Sequence, residues 1–371
     1  MMKVVRKILV VVIALPVLAA VAGVALGPTV LHPFVRRKLT AEQIRHADEM
    51  FRRVGAAPED FSVRAKDGVM LRGWKVRAAS DTVQGVRVQG TRPRLQSEPG
   101  AATDKSTSLP KSGFQGRSST ALREEVASTN PETRNSKGTA FKEKTARGNW
   151  VLLLHGRSHN RFAMLPHAEF LLAAGYNVVM MDARDHGDSG GTISTYGYLE
   201  SRDATAIVDA LEASEKVTHL FALGESMGAA AALQSAAVEQ RIEAVAAEGA
   251  FRNLREVTYD YAGLQQSAWL GKTVFRPAAE VSRLIAERQG GFSFEKVSPE
   301  KAVAVRRFPV LLICGLSDRK IPCRHSQTIY RSAAGKKQLW EVPATGHEKA
   351  IETHSAEFRE RVLKFFADAE E

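Results

Sequence analysis

Leu220-Phe221-Ala222-Leu223 reads as a short apolar strand, and Gly224-Glu225-Ser226-Met227-Gly228 follows without a gap. The alanine-rich run Ala229 to Leu233 comes next and reads as the start of a helix. A chain that passes from strand to helix through so tight a turn strains the backbone of its central residue. Glycines two positions either side keep neighbouring side chains out of that turn, which gives the spacing G-x-S-x-G. The Ser226 hydroxyl would then sit at the strand's carboxyl end, with helix N-terminal amides facing any developing negative charge. The five-residue pattern alone arises often by chance, so its flanking segments and partners carry the weight.

The flanking segments repeat one unit. From Gly148 onward, apolar strand, loop and helix alternate. Trp150 to Leu154 is a buried strand ending in His155-Gly156, and Leu165 to Ala174 is a helix closed by Gly175. Val178 to Asp182 is a strand, Ser201 to Ser214 a helix, and 219–223 the strand before the serine. Ala244 to Ala247, Val310 to Cys314 and Gln338 to Val342 supply the later strands. Strands alternating with helices imply right-handed crossovers and a mostly parallel sheet, an α/β fold. Upstream, Thr40 to Val54 has a helical apolar face through Ile44, Ala47, Met50 and Phe51. Residues 61–65 and 69–76 alternate around Lys66-Asp67-Gly68 as a hairpin.

The net charge of +11 is unevenly placed. Residues 1–79 hold 14 Lys/Arg against 6 Asp/Glu, and 80–147 hold 12 against 7. Residues 148–371 hold 26 against 28, so the segment with the serine is not basic. That distribution argues against a nucleic-acid partner and suits an anionic membrane surface or a solvated tail. The run Ile8 to Leu26 is almost wholly apolar, and roughly 20 such residues span a bilayer. Residues 1–30 are therefore expected to be a retained membrane anchor with a single pass. The alternative is a signal segment cleaved near Ala20-Val21-Ala22, leaving a secreted or periplasmic protein. Residues 79–147 are rich in Ser, Thr, Gly, Gln, Arg and Lys and carry only Phe114 and Phe141 as aromatics, so a disordered insertion is expected. Cys314 and Cys323 read as a buried thiol and a loop thiol, since one pair does not argue for an oxidising compartment.

A serine hydroxyl becomes a nucleophile only when a base takes its proton and an acid holds that base. Asp318 falls in the loop after the 310–314 strand, and His347 in the loop after the 338–342 strand. Ligands of parallel sheets bind beyond the carboxyl ends of the strands, where Ser226, Asp182, Asp318 and the His155 loop all fall. The expected catalytic set is Ser226, Asp318 and His347. Backbone N–H groups of Met227 and Arg157 are the expected oxyanion donors, the latter acting through its amide and not its guanidinium. His155, Gly156 and Asn160 are expected to shape that loop. Glu225 reads as a surface or loop-tethering acid.

Four motifs carry a resemblance: H-G-R-S-H-N-R at 155–161, D-A-R-D-H-G-D-S-G-G at 182–191, G-E-S-M-G at 224–228, and G-L-S-D-R-K-I-P at 315–322 with T-G-H-E at 345–348. In these the chain resembles the α/β-hydrolase superfamily, and within it the serine aminopeptidase-like group and its membrane-anchored relatives. The resemblance covers residues 60–78 and 148–367. It implies the order Ser, Asp, His, a central sheet flanked by helices, and a helical cap at 252–305 over the serine. Tyr259, Tyr261, Leu264, Trp269, Leu270, Val274 and Phe275 would pack that cap or line an acyl pocket. Where the group has Arg-Gly-His-Gly, this chain has Arg184-Asp185-His186-Gly187, so Asp185 must tolerate a positive φ if the loop keeps its shape. The expected activity is hydrolysis of a carboxylic ester or thioester through an acyl-enzyme, with no cofactor and no metal. A peptidase or amidase of the same mechanism, or a noncatalytic tethered binding protein, are the rivals.

Overall fold

The computed structural model describes residues 17, 18, 21, 23, 24, 27, 29–32, 36–79, 148–261 and 276–371. Eight strands form one sheet: β1 (Pro58–Arg64), β2 (Met70–Val76), β3 (Asn149–Leu154), β4 (Asn177–Met181), β5 (His219–Glu225), β6 (Ile242–Glu248), β7 (Val310–Gly315) and β8 (Lys337–Val342). Their spatial order is β1-β2-β4-β3-β5-β6-β7-β8. The hairpin β1–β2 is antiparallel and β2 also meets β4 antiparallel, while every pairing from β4 through β8 is parallel. This is the expected α/β-hydrolase architecture.

The sequence pattern of each strand follows from its cover. β4 and β7 are buried at every residue because helices lie on both faces, so they read as continuous apolar runs. Strand β1 alternates over Phe61–Arg64 because one face is wet. On one face pack α1 (Ala41–Arg53), α2 (Leu165–Ala173), α9 (Ala350–Thr353) and α10 (Ser355–Ala367). Phe221 is central there, stacked on Phe366 with centroids 4.9 Å apart and edge-on to Tyr176. The other face carries α3 (Glu200–Ser214), α4 (Met227–Val238), α7 (Pro299–Val305) and α8 (Arg324–Ser332). α1 opens with a capping box between Thr40 and Gln43, a signal present in the residues but passed over by a reading based on the apolar face.

The cap region holds α5 (Leu254–Tyr261), α6 (Arg276–Gly290) and a short 3-10 turn at Phe294–Lys296. Leu264, Trp269, Leu270, Val274 and Phe275 lie outside the described residues. Tyr259 neither packs a greasy core nor points a bare ring at a pocket: its hydroxyl meets Glu280 within an ion cluster that includes Arg255 and Arg283. Described residues of the 17–30 stretch are helical, and Ser282 Oγ donates to the Gly23 carbonyl at 2.9 Å, which lays this stretch along α6. Most of the apolar run 8–26 lies outside the described residues, as does the expected insertion from residue 80 to 147. Among the described residues no helix is long and apolar enough to cross a membrane.

One expectation is corrected. Cys314 and Cys323 are joined in a disulfide across a Cα–Cα distance of 5.3 Å. The segment after β7 curls back through Pro322, so residues nine apart in sequence come face to face. Reading the cysteines as separate thiols missed that return.

Phe221→Ala should remove a fully buried ring and leave a cavity between α10 and the sheet. Equilibrium urea unfolding should show a loss of roughly 3–5 kcal/mol, and an unchanged midpoint would show that the stack does not anchor α10.

Candidate active site

The turn after β5 is as tight as its glycines suggest. Ser226 sits at φ 51°, ψ −111°, a strained backbone for a non-glycine residue. A Cβ on Gly224 would lie 2.4 Å from the Gly228 carbonyl carbon, and one on Gly228 would lie 2.1 Å from the Leu154 carbonyl oxygen. Neither position has room for a side chain, and the second shows that α4 starts in backbone contact with β3. The Ser226 N–H donates to the Glu248 carbonyl at 2.8 Å, which ties the elbow to β6.

The loops after β7 and β8 are fastened to each other before they reach the serine. Ser317 N–H donates to the Thr345 carbonyl at 2.9 Å, and a Cβ on Gly315 would lie 2.3 Å from that same oxygen. Asp318 Oδ1 accepts the Lys320 and Ile321 amides at 2.8 and 2.9 Å, which leaves Oδ2 to face the imidazole. His347 Nδ1 lies 2.6 Å from Asp318 Oδ2, and His347 Nε2 lies 2.9 Å from Ser226 Oγ. With Nδ1–H donating to a carboxylate, Nε2 is the acceptor for the serine hydroxyl. All three side chains are buried or nearly so.

The loop after β3 lies beside this line. His155 is buried, its Nδ1–H donating to the Gly156 carbonyl at 2.8 Å while Nε2 accepts the Ala183 N–H at 3.0 Å. Asn160 caps the 3-10 turn Arg161–Met164, accepting the Phe162 N–H and donating to the Arg37 carbonyl at 3.0 Å. Arg161 binds Asp182 through both its amide and its guanidinium, so Asp182 is spent on holding two loops together. The Arg157 guanidinium donates to the Thr29 carbonyl at 2.7 Å and reaches that of His32, so its side chain ties residues 29–32 to this loop. The Met227 amide is the first of α4 and has no partner within its own helix. Asp185 does adopt the positive φ required of it, 60°, with His32 3.1 Å from its carboxylate.

A model of the alpha/beta hydrolase family matches residues 151–361, more than half of the sequence. The chain belongs to the alpha/beta hydrolase family. Its curated relatives include YqkD of Bacillus subtilis, 27% identical over 222 residues that cover 58% of this chain and 70% of that one. YfhR of Escherichia coli K12 is 27% identical over 221 residues, covering 59% and 70%. Among solved structures, the Pyrococcus furiosus esterase Pf2001 superposes with a TM-score of 0.58 at 20% identity, over 92% of this chain and all of that one. The Pyrococcus horikoshii acylaminoacyl peptidase superposes at 0.51 with 14% identity, over 84% of this chain and 41% of that one. At these identities the structural likeness is one of fold.

On this alpha/beta hydrolase frame, an apolar cluster borders the serine. Leu31, Tyr196, Met227, Phe251, Leu254 and Ile321 belong to it, drawn from the N-terminal stretch, the loop before α3, the elbow, the loop after β6, the cap and the loop after β7. Leu31 is buried there, a contribution the sequence gave no reason to expect. Glu225 is also not where it was expected: it is 5% exposed and lies inside the protein. Strand β5 runs two residues beyond Leu223, and that extension carries the side chain beneath the elbow. Burial pushes its carboxyl well above the usual range, with the nearby Glu248 adding to the effect. Glu248, at the end of β6, is pushed up to about 7, again chiefly by burial. Glu248 drew no attention in the sequence, and Glu348, whose φ is 55°, entered it only as the last residue of T-G-H-E, with no role of its own. Each follows the strand or histidine that drew attention.

Burial holds the His155 and His186 imidazoles down at about 4, and their rings lie 5.3 Å apart. Both should stay neutral in NMR titrations of the folded protein down to about pH 4, where a free imidazole titrates near 6.5. The unfolded chain takes up these protons first. The two rings therefore contribute stability in full above pH 6.5 and lose it as pH falls from 6.5 towards 4. Midpoints near 6.5 in the folded state would contradict the burial described.

Proposed function

We propose that this alpha/beta hydrolase is a serine hydrolase of carboxylic esters or thioesters. The observation that carries the reading is the continuous line from Asp318 through His347 to Ser226, at 2.6 and 2.9 Å. Ser226 Oγ attacks the acyl carbon as its proton passes to His347 Nε2, and Asp318 stabilises the imidazolium through Nδ1–H. The carbonyl oxygen becomes an oxyanion that the Met227 and Arg157 amides receive. Collapse expels the leaving group, which takes the proton from His347 and departs as an alcohol or thiol. Water then gives a proton to His347, its oxygen attacks the acyl-serine, and the acid leaves as Ser226 recovers its proton. The buried apolar cluster beside the serine supports the reading by packing the elbow, the acid loop and the cap into one body around the reacting groups. The apolar run 8–26 supports a membrane tether as part of the same reading.

Three measurements test it. Purified protein should react with a fluorophosphonate probe and hydrolyse p-nitrophenyl esters, and Ser226→Ala should abolish both. Asp318→Asn should lower kcat by about 10³–10⁴-fold while leaving the fold intact. A folded wild type that neither labels nor turns over esters would sink the reading, and turnover confined to aminoacyl anilides would move it to a peptidase. Full-length protein expressed with its N-terminus should resist carbonate extraction from membranes, and release into the soluble fraction would remove the tether.

A further inference from the structure

Beneath the elbow, on the side away from the substrate, three buried side chains from three elements converge. They are His167 from α2, Glu225 from the end of β5 and Glu248 from the end of β6. Glu225 and Glu248 are register partners on adjacent parallel strands, so their carboxyl groups are neighbours. One potential ligand atom from each of the three lies within 4.8 Å of the others. None of these residues has a part in the acyl transfer proposed above.

Their hydrogen bonding is incomplete. His167 is 1% exposed, and neither ring nitrogen has a hydrogen-bond partner among the described residues. Its Nε2 lies 3.5 Å from Glu225 Oε1, too long to be a good hydrogen bond. Glu248 Oε1 accepts the Ala350 N–H at 2.9 Å, whereas Oε2 is buried with no partner. Phe170 and Phe358 flank the imidazole and offer it no hydrogen bond, while the Arg359 guanidinium lies near enough to oppose its protonation. Buried like charges are expensive unless a proton or a cation stands between them. A proton shared by the two carboxyls would relieve them but leave the imidazole facing them without a role.

We propose that His167, Glu225 and Glu248 form a buried site for one divalent transition-metal ion of the zinc type. One imidazole and two carboxylates are a ligand set for Zn²⁺ or Mn²⁺, and the nitrogen donor disfavours Mg²⁺ and Ca²⁺. Ligand distances of about 2.0–2.2 Å place the donors of one ion some 3–4 Å apart; His167 Nε2 and Glu225 Oε1 are 3.5 Å apart and no pair of the three exceeds 4.8 Å, so a small inward shift of side chains would complete the site. The ion would connect α2 to β5 and β6. Glu248 would carry the connection to Ala350, three residues beyond His347. Its role is structural: it fixes the elbow from below and takes no part in the reaction.

The test uses the whole chain, freed of metal with a chelator and kept without reductant, so that the disulfide between Cys314 and Cys323 beside Glu341 stays closed and offers no thiolate. Dialysis against micromolar Zn²⁺ or Mn²⁺ should leave about one ion per chain by elemental mass spectrometry, with a rise in Tm. His167→Gln and, separately, Glu248→Gln should each cut the retained metal at least tenfold, while a folded Ser226→Ala should retain it in full. A folded wild type that takes up neither ion and shows no change in Tm overturns the proposal. So does uptake that both substitutions leave unchanged, since the ion would then sit elsewhere. Loss of metal binding leaves fluorophosphonate labelling to be judged on its own, so the site and the proposed activity can fail separately.

Discussion

The backbone contact between the start of α4 and the end of β3 is the constraint on which the rest depends. Gly228 lies so close to the Leu154 carbonyl that no side chain fits between them. That approach fixes the distance from the Met227 amide to the loop beginning at His155, and so the width of any oxyanion site there. It also fixes the elbow: α4 cannot begin so near β3 unless Ser226 takes up the strained turn. A strain of roughly 1–3 kcal/mol at one residue is sustained only when its surroundings determine it many times over. Here β3 and β6 flank β5 on both sides, and an almost fully buried helix follows.

The same logic runs through the acid and histidine loops. A loop on its own would let Asp318 and His347 wander by more than a hydrogen bond tolerates. Their loops are locked backbone to backbone, through Ser317 and Thr345 and through the close approach at Gly315. The disulfide from Cys314 to Cys323 closes the acid loop at its base. The imidazole and carboxylate therefore behave as one body, and only their common position relative to the serine remains to be set by the parallel pairing of β6, β7 and β8.

Much of this was legible in the residues. Unbroken apolar runs such as Val310–Cys314 can only be buried strands, and the loops after them are then forced to the same rim of the sheet. That argument places Ser226, Asp318 and His347 near one another from the residues alone. It failed at strand ends. Stopping β5 at Leu223 put Glu225 on the surface, and stopping β6 at Ala247 left Glu248 unnoticed, because polar residues at an apolar run's end read as loop. The disulfide was hidden for a related reason: nothing local to Cys323 says that the chain turns back on itself. Leu31 was illegible because it lies far upstream, in a stretch whose composition speaks of membranes and not of a cluster bordering the serine.

Those failures are of one kind, and they bear on how the site is built. Polar groups that work on substrate end up at loop tips, where sequence order reveals them. Polar groups that support the tips from beneath sit at the last strand residues, where sidedness decides everything and a shift of one residue reverses it. Glu225 shows the consequence. It adjoins the nucleophile in sequence, yet its side chain lies on the opposite side of the elbow, among His167 and Glu248 rather than with His347. One carboxylate besides Asp318 already stands on the reacting side, Glu348 with Oε2 3.9 Å from His347 Nε2, and a further one there would draw the imidazolium more strongly away from Asp318. Beneath the turn it can act only on the backbone that carries Ser226, so alternation along β5 separates the chemistry from its support.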